Sequence, residues 1–258
     1  MLTIERQEEI LDILNRNKSA TVEELAAELF VSGATIRRDL RAMEKQGLIK
    51  RSHGGAMPFK SSAEESAFAI REQENIVAKK TMANLAAKLI KNGDSVFIDS
   101  SSTTGAVIPL LNNYQYLSVT TTGIRNALLL SQTNSVKIYI AGGQIQNHSN
   151  SIIGTDTMDY ISRIHADICL VSCSGLDLEN GFTESSIEQA KLKQQMRKNS
   201  TLVAVLCDST KFGKTFLCTD FHFDDIDFLI TEKTPPIEFV EKIAQTGCKL
   251  ITPENTNY

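Results

Sequence analysis

Six short apolar runs, separated by helix-length stretches, constrain this chain more than anything else in it. They are Ser95 to Ile98, Leu117 to Thr120, Val136 to Ile140, Ile168 to Ser172, Leu202 to Leu206 and Phe228 to Ile230. Strands that are apolar throughout must be buried on both faces, and a mostly parallel sheet with helices packed on each side does that. Ligands of such sheets bind beyond the carboxyl ends of the strands. The C-terminal part of the chain is therefore expected to be an α/β domain with any site along that row of strand ends.

The first 57 residues read differently. Thr3 can cap a helix carrying Ile4, Ile10, Leu11, Ile13 and Leu14 as its stripe, ending near Asn15 to Lys18. Thr21-Val22-Glu23-Glu24 has the form of a capping box, and Leu25, Ala26 and Leu29 follow on the inner face of a short second helix. Ser32 caps a third helix that Val31 and Ile36 staple; it runs to about Gln46 and stops at Gly47. Leu48 to Arg51 and Ser52 to Met57 read as two short strands around a tight turn. Helix, helix, turn, helix and hairpin make a small winged helix-turn-helix. From Pro58 to Ser66 the periodicity lapses into Ser and charge, as in a hinge. A single helix from about Phe68 to Lys91, with Ile76, Met82, Leu85, Ala86 and Leu89 on its apolar face, then opens the larger unit. The expected division is 1–57, a linker at 58–66, and 67–258.

A net charge of −4 argues against nucleic acid until its distribution is read. Met1 to Val31 holds three basic against seven acidic residues, whereas Ser32 to His53 holds six basic against two acidic. The basic window lies on the third helix and the wing. Thr35, Arg37, Arg38 and Arg41 fall within two helical turns, and an arginine there can bridge guanine O6 and N7 or hold a phosphate. Thr21 and Ser32, at two helix starts, and Lys50 and Arg51 in the wing complete the DNA-facing set. His53 reads equally as a DNA contact or an exposed turn residue. A solvated face is the bland reading of Arg-Arg-Asp-Leu, and the capped, stapled helices around it argue against that reading.

Each strand end of the larger unit turns polar. Asp99 is followed by Ser100, Ser101, Ser102, Thr103 and Thr104; other junctions carry Thr121 and Thr122, Gly142 and Gly143, Gly175 and Asp177, and Asp208 and Lys211, with Lys193 on a later helix. Hydroxyls and amides at a helix start suit an anion, though Ser and Thr serve equally as helix caps. Asp177 can accept from a sugar hydroxyl or cap a turn, and Lys211 can neutralise a phosphate or stand solvated. Taken together these junctions predict one polar pocket at a row of strand ends.

Five cysteines make no CxxC pair and four histidines have no zinc-finger spacing, so reduced thiols, no metal and no cofactor are expected. Charges at Glu5, Arg6, Glu8, Glu9 and Asp12 exclude a signal peptide or span at the start, which predicts a cytoplasmic protein without a membrane partner.

Leu25-Ala26, Val31-Ser32, Thr35-Ile36-Arg37-Arg38-Asp39-Leu40, Gly47 and Arg51-Ser52-His53-Gly54-Gly55-Ala56 resemble the DNA-binding signature of DeoR-type repressors of sugar metabolism. The resemblance continues through Asp99 to Thr104, Thr121, Gly142-Gly143, Gly154, Gly175 with Asp177, Gly181 with Thr183, Ala190 with Lys193 and Met196, and Asp208 to Gly213, and weakens after about Thr231. It implies a sensor domain akin to ribose-5-phosphate isomerase and the related CoA-transferase fold. It also implies a phosphorylated sugar or related metabolite as effector, double-stranded operator DNA as partner, and a homo-oligomer, dimer or tetramer. The chain departs from the family pattern at Ser101, where Gly is common, at Thr121-Thr122 in place of Thr-Asn, and at Gln189 in place of Glu. The expected function is a repressor without catalytic residues. The competing reading is an active sugar-phosphate isomerase fused to a DNA module, with Asp99, Asp177 or Glu184 as the base.

Overall fold

In the computed structural model, residues 3–17, 19–45, 48–52, 54–58, 68–134 and 136–255 are described. The Gly47 stop, His53 and the linker from residue 59 onward lie outside them.

The N-terminal unit is built from α1 (Thr3–Asn17), β1 (Ala20–Thr21), α2 (Val22–Glu28), α3 (Gly33–Lys45), β2 (Ile49–Ser52) and β3 (Gly55–Pro58). The capping box forms as the sequence dictates: Thr21 Oγ1 accepts from the Glu24 N–H at 3.1 Å, and Glu24 Oε2 accepts from the Thr21 N–H at 2.8 Å. Ser32 Oγ accepts from the Thr35 N–H at 3.2 Å and so caps α3. Ile10, Leu14, Leu25, Ile36, Leu40, Met43 and Ile49 close the core of this unit. One strand of the wing sheet escapes the sequence reading. The two residues of β1 pair with β3, so the order is β1-β3-β2. At Gly55 the backbones meet, and a Cβ there would lie 2.3 Å from the Ala20 carbonyl oxygen.

Asp39, which reads in sequence as part of a charged helix face, is 1% exposed. Its carboxylate accepts from Arg6 Nε at 2.6 Å and Nη2 at 3.3 Å, an ion pair sealed between α1 and α3. A paired guanidinium and carboxylate is the form in which such charges persist inside a core.

The helix expected over residues 68–91 is two helices, α4 (Phe68–Gln73) and α5 (Ile76–Ala87). Asn75 breaks it. Its φ is +53°, a left-handed conformation that Asn tolerates better than most residues. Its side chain does not cap α5 but reaches across to a loop of the sheet domain.

The remaining elements alternate. β4 (Ser95–Ile98), α6 (Ser102–Gly105), β5 (Leu117–Thr121), α7 (Ile124–Leu130) and β6 (Val136–Ile140) come first. A small hairpin, β7 (Gln144–Gln146) with β8 (Ser151–Ile153), leads to α8 (Thr155–Ser162) and β9 (Ala166–Ser172). Then follow β10 (Gly175–Asp177), β11 (Gly181–Glu184), α9 (Ile187–Lys198), β12 (Ser200–Leu206), β13 (Cys218–Phe221), β14 (Phe228–Ile230), α10 (Ile237–Ala244) and β15 (Lys249–Ile251). Seven strands form one parallel sheet in the order β15-β14-β12-β9-β4-β5-β6. All six expected strands belong to it, and β15 is the seventh. The period of two shows in the packing: Val96 and Ile98 join the core under α5, and Phe97 joins the core with Met196 of α9 and Phe239 of α10. A second sheet, β10-β11-β13, stands beyond the carboxyl ends and supplies one wall of the site. Among the described residues no helix is long and apolar enough to cross a membrane.

Candidate functional site

Two constellations carry chemistry. The first is on α3 and the wing, where Arg37, Arg38, Arg41, Lys50 and Arg51 are all exposed while Ile36, Asp39, Leu40 and Met43 face inward. Helical spacing separates the faces, so burying the apolar stripe turns three guanidiniums outward together. Thr21 and Ser32 are exposed and Thr35 is half-buried beside them. Arg37 lies 3.5 Å from Glu23 and Arg51 lies 3.8 Å from Glu44, both exposed pairs of the kind that contribute little and yield readily to a phosphate. Alanine at Arg37 or Arg38 is expected to weaken binding to a specific duplex by about 1–3 kcal/mol where the residue reads a base. Titration of the two variants against that duplex checks this; unchanged affinity in both would place the reading face elsewhere.

The second constellation lies at the carboxyl ends of β4, β9 and β12. Asp99 is 1% exposed and fully engaged. Its Oδ1 accepts from the Ser101 N–H at 2.9 Å, Ser101 Oγ at 2.7 Å and Thr104 Oγ1 at 2.6 Å; its Oδ2 accepts from the Ser172 N–H at 3.0 Å. Lys193 stands 3.4 Å from that oxygen, pairs with Glu184, and donates to the Ser172 carbonyl at 2.5 Å. Burial works to raise the Asp99 carboxyl, but the Lys193 charge and these hydrogen bonds outweigh it and hold it below the usual carboxylate range. Burial works equally against the Lys193 ammonium, and Glu184 and Asp99 overcome it, so Lys193 stays charged. Asp220 of β13 sits close by with neither oxygen hydrogen-bonded, and burial, then the Glu184 charge, push its carboxyl far up. The floor of the site is thus a buried ionic cluster in which Lys193 is shared between Asp99 and Glu184.

Above the floor stand two more ammoniums. Lys211 donates to Ser172 Oγ at 3.0 Å and to the Cys173 carbonyl at 2.7 Å, with Asp208 at 3.7 Å. Lys79 of α5 donates to Ser102 Oγ at 3.1 Å and to the Arg71 carbonyl. Burial, and then the charge of Lys211, bring the Lys79 ammonium down to about 8. A cation disfavoured by burial and by a neighbouring cation is one that an anion would relieve. Asp208 accepts from Asn75 Nδ2 at 3.2 Å and from Thr210.

The structure joins most of the residues that the sequence singles out. The Asp99 to Thr104 loop, Lys193, Asp208 and Lys211 converge. Thr121 touches the Asp99 carbonyl at 3.4 Å, Ser151 of the β7–β8 hairpin donates to Ser100 Oγ at 2.6 Å, and the Thr122 carbonyl accepts from the Ile152 N–H at 2.7 Å. Gly123 packs so closely that a Cβ would fall 2.8 Å from the Ser100 Cα. Ser101 is the cap of α6, accepting from the Thr104 N–H at 3.2 Å. Four positions take local jobs. Asp177 Oδ1 accepts from the N–H groups of Glu179 and Asn180, so it caps the β10–β11 turn. Gly175 backs on the Lys214 carbonyl, and Gly142 and Gly143 pack against Thr157 of α8. Sequence reading missed Lys79, Asn75, Ser172 and Ser151. Lys79 left a signal: it lies three residues before Met82 and seven before Ala86, on the buried stripe of its own helix.

Residues 6–62 match the DeoR-like helix-turn-helix domain, and residues 74–233 match the DeoR C terminal sensor domain. The HTH-type transcriptional regulator GolR of Listeria innocua is 35% identical over 96% of this chain and 97% of its own. The glycerol-3-phosphate regulon repressor of Escherichia coli is 30% identical over 97% of this chain and 99% of its own. Among solved structures, ribose 5 phosphate isomerase A from Neisseria gonorrhoeae superposes on 52% of this chain and 52% of its own, at a TM-score of 0.38 and 11% identity.

Proposed function

This chain belongs to the DeoR family, and from that premise we propose that it is a cytoplasmic, DNA-binding transcriptional repressor of a carbohydrate-utilisation operon, released from its operator by a phosphorylated sugar or a related metabolite. The observation that carries the reading is the placement of Arg37, Arg38 and Arg41 on the exposed face of a capped and stapled α3, in one chain with a cluster of ammoniums and hydroxyls at strand ends. A single winged module offers few base contacts, so the repressor acts as a dimer or tetramer on paired half-sites.

In the pocket, Lys79 and Lys211 meet the phosphoryl group, and the Ser100 to Thr104 hydroxyls and Thr121 and Thr122 take the remaining polar atoms. Lys193 fixes the floor by holding Asp99 and Glu184. The three carboxylates that isomerase chemistry would draw on are committed: Asp99 to four hydrogen bonds, Glu184 to Lys193 and Ser174, and Asp177 to its turn. A base locked in this way cannot approach a substrate carbon, which supports a sensor without turnover.

Calorimetric titration with sugar phosphates tests the pocket, and its pH dependence is specific. Because the Lys79 ammonium titrates near 8, affinity for a phosphoryl dianion should be level from pH 7 to 7.5 and fall by up to about tenfold per unit above 8. Lys211, held up by Asp208, stays charged through that range, and Asp208 is already ionised. A flat profile up to pH 9.5 would remove Lys79 from the phosphate contact.

A further inference from the structure

Between the two units lies α4, and both of its faces are spoken for. Ile70 is 8% exposed and belongs to the apolar core of the DNA-binding unit with Ile10, Leu14 and Leu40. Further contacts of α4, among the described residues, are with the sensor. The Phe68 N–H donates to the His148 carbonyl at 2.9 Å, at the tip of the β7–β8 hairpin, and Glu72 pairs with Arg125 of α7 at 3.2 Å. Just beyond its C-terminal end, Asn75 donates to Asp208 Oδ1 and Thr210 Oγ1, both at 3.2 Å. The Arg71 carbonyl of α4 accepts from Lys79. Lys79 therefore touches, with one ammonium, the helix that carries Ile70 and the Ser102 hydroxyl of the phosphate loop.

Resting on the reading of the pocket given above, we infer that Lys79 is the contact through which an anionic effector governs the DNA-binding unit: its ammonium is shared between the main chain of α4 and the effector's phosphoryl group, so that ligand binding and the hold on α4 compete. The physics of the competition is simple. A carbonyl offers a dipole, whereas a phosphoryl dianion offers full charge, and in a partly buried site the charge-assisted pair is the stronger. The same anion, set beside Lys211, also draws on the loop to which Asn75 is bound. Both ties on the C-terminal half of α4 then weaken together, while the apolar seat of Ile70 loses the support that orients it. A ligand changes an equilibrium only by its differential affinity for two states, and the shared ammonium supplies that difference.

The test uses the full chain and four probes: inorganic phosphate, glycerol 3-phosphate, fructose 6-phosphate and glucosamine 6-phosphate. Calorimetry gives each dissociation constant, and amide hydrogen exchange reports on residues 68–74. With a saturating probe that binds, exchange in that segment of the wild type is expected to rise at least tenfold, while β4 and β9 stay unchanged. Lys79→Gln should exchange fast there without probe, show no further rise with it, and bind the probe at least tenfold more weakly. Lys79→Arg, which keeps the cation, should recover affinity to within about threefold and keeps the test valid if the neutral variant is too unstable to handle. Wild-type binding in which residues 68–74 do not respond would overturn the inference and leave the pocket reading standing. So would a Lys79→Gln protein that binds and responds as the wild type does. Failure of all four probes to bind the wild type would overturn the pocket reading and the inference with it.

Discussion

Lys193→Met is expected to destabilise the sensor domain by about 3–5 kcal/mol, because it leaves Asp99 and Glu184 buried without their counter-charge. That is a large part of the 5–15 kcal/mol that ordinarily separates a folded domain from its unfolded chain. The pH dependence should change in the same experiment. In the wild type the Asp99 carboxyl is held below its unfolded value, so it contributes stability that is present above the unfolded pKa and is lost as the pH falls through the folded one. In the variant that contribution disappears, and between pH 5 and 7 its stability should rise more steeply than the wild type's as the pH falls, since protonating the stranded Asp99 relieves it, whereas the raised Asp220 carboxyl gives both proteins a rise in the same direction. Urea unfolding of the wild type and the variant across this range is the check. A loss under 1 kcal/mol, with the same slope against pH, would mean that Lys193 is not the counter-ion of the cluster.

The second large effect belongs to the DNA-binding unit. Asp39→Ala removes the carboxylate that Arg6 holds between α1 and α3 and is expected to cost that unit up to about 3–5 kcal/mol. Operator binding should be lost at ordinary temperature, although Asp39 itself faces away from any duplex, while the unfolding transition of the sensor stays where it is. The companion variant separates a lost charge from a lost pair: Arg6→Met combined with Asp39→Leu removes both charges and should recover most of the stability, because an apolar pair replaces a desolvated ionic one at little net cost. Wild-type operator affinity in Asp39→Ala would contradict the buried position of the pair.

Both effects bear on how much the sequence discloses. Periodicity and end signals are local, so the capping box at Thr21, the Ser32 cap and all six expected strands appear within two residues of where they read. The largest offsets are at β9 and β12, which each begin two residues before their apolar runs, at Ala166 and Ser200, because those two residues pair with each other without extending an unbroken apolar stretch. What escapes is decided by distant partners. The two residues of β1 are strand only because Gly55 lets the wing close on them. Asp39 and Arg6 are 33 residues apart and look like surface charges until α1 and α3 pack. The break at Asn75 is paid for by Asp208 and Thr210, more than a hundred residues later. In the pocket the strand-end loops are legible as polar junctions, but the division of labour is not. Lys193 becomes floor rather than rim because Glu184 and Asp99 close around it, and Lys79 enters from a helix that reads as a plain amphipathic stripe.

Under the proposed function, sugar-phosphate occupancy of the sensor controls the grip of α3 on DNA. An electrophoretic mobility shift on the DNA upstream of the gene cluster that encodes this chain, repeated with a panel of phosphorylated sugars, tests it most directly. The account predicts a specific shift that one phosphorylated member of the panel releases and its unphosphorylated counterpart does not. A specific shift that every member leaves intact, or no shift on any fragment of that region, would contradict it.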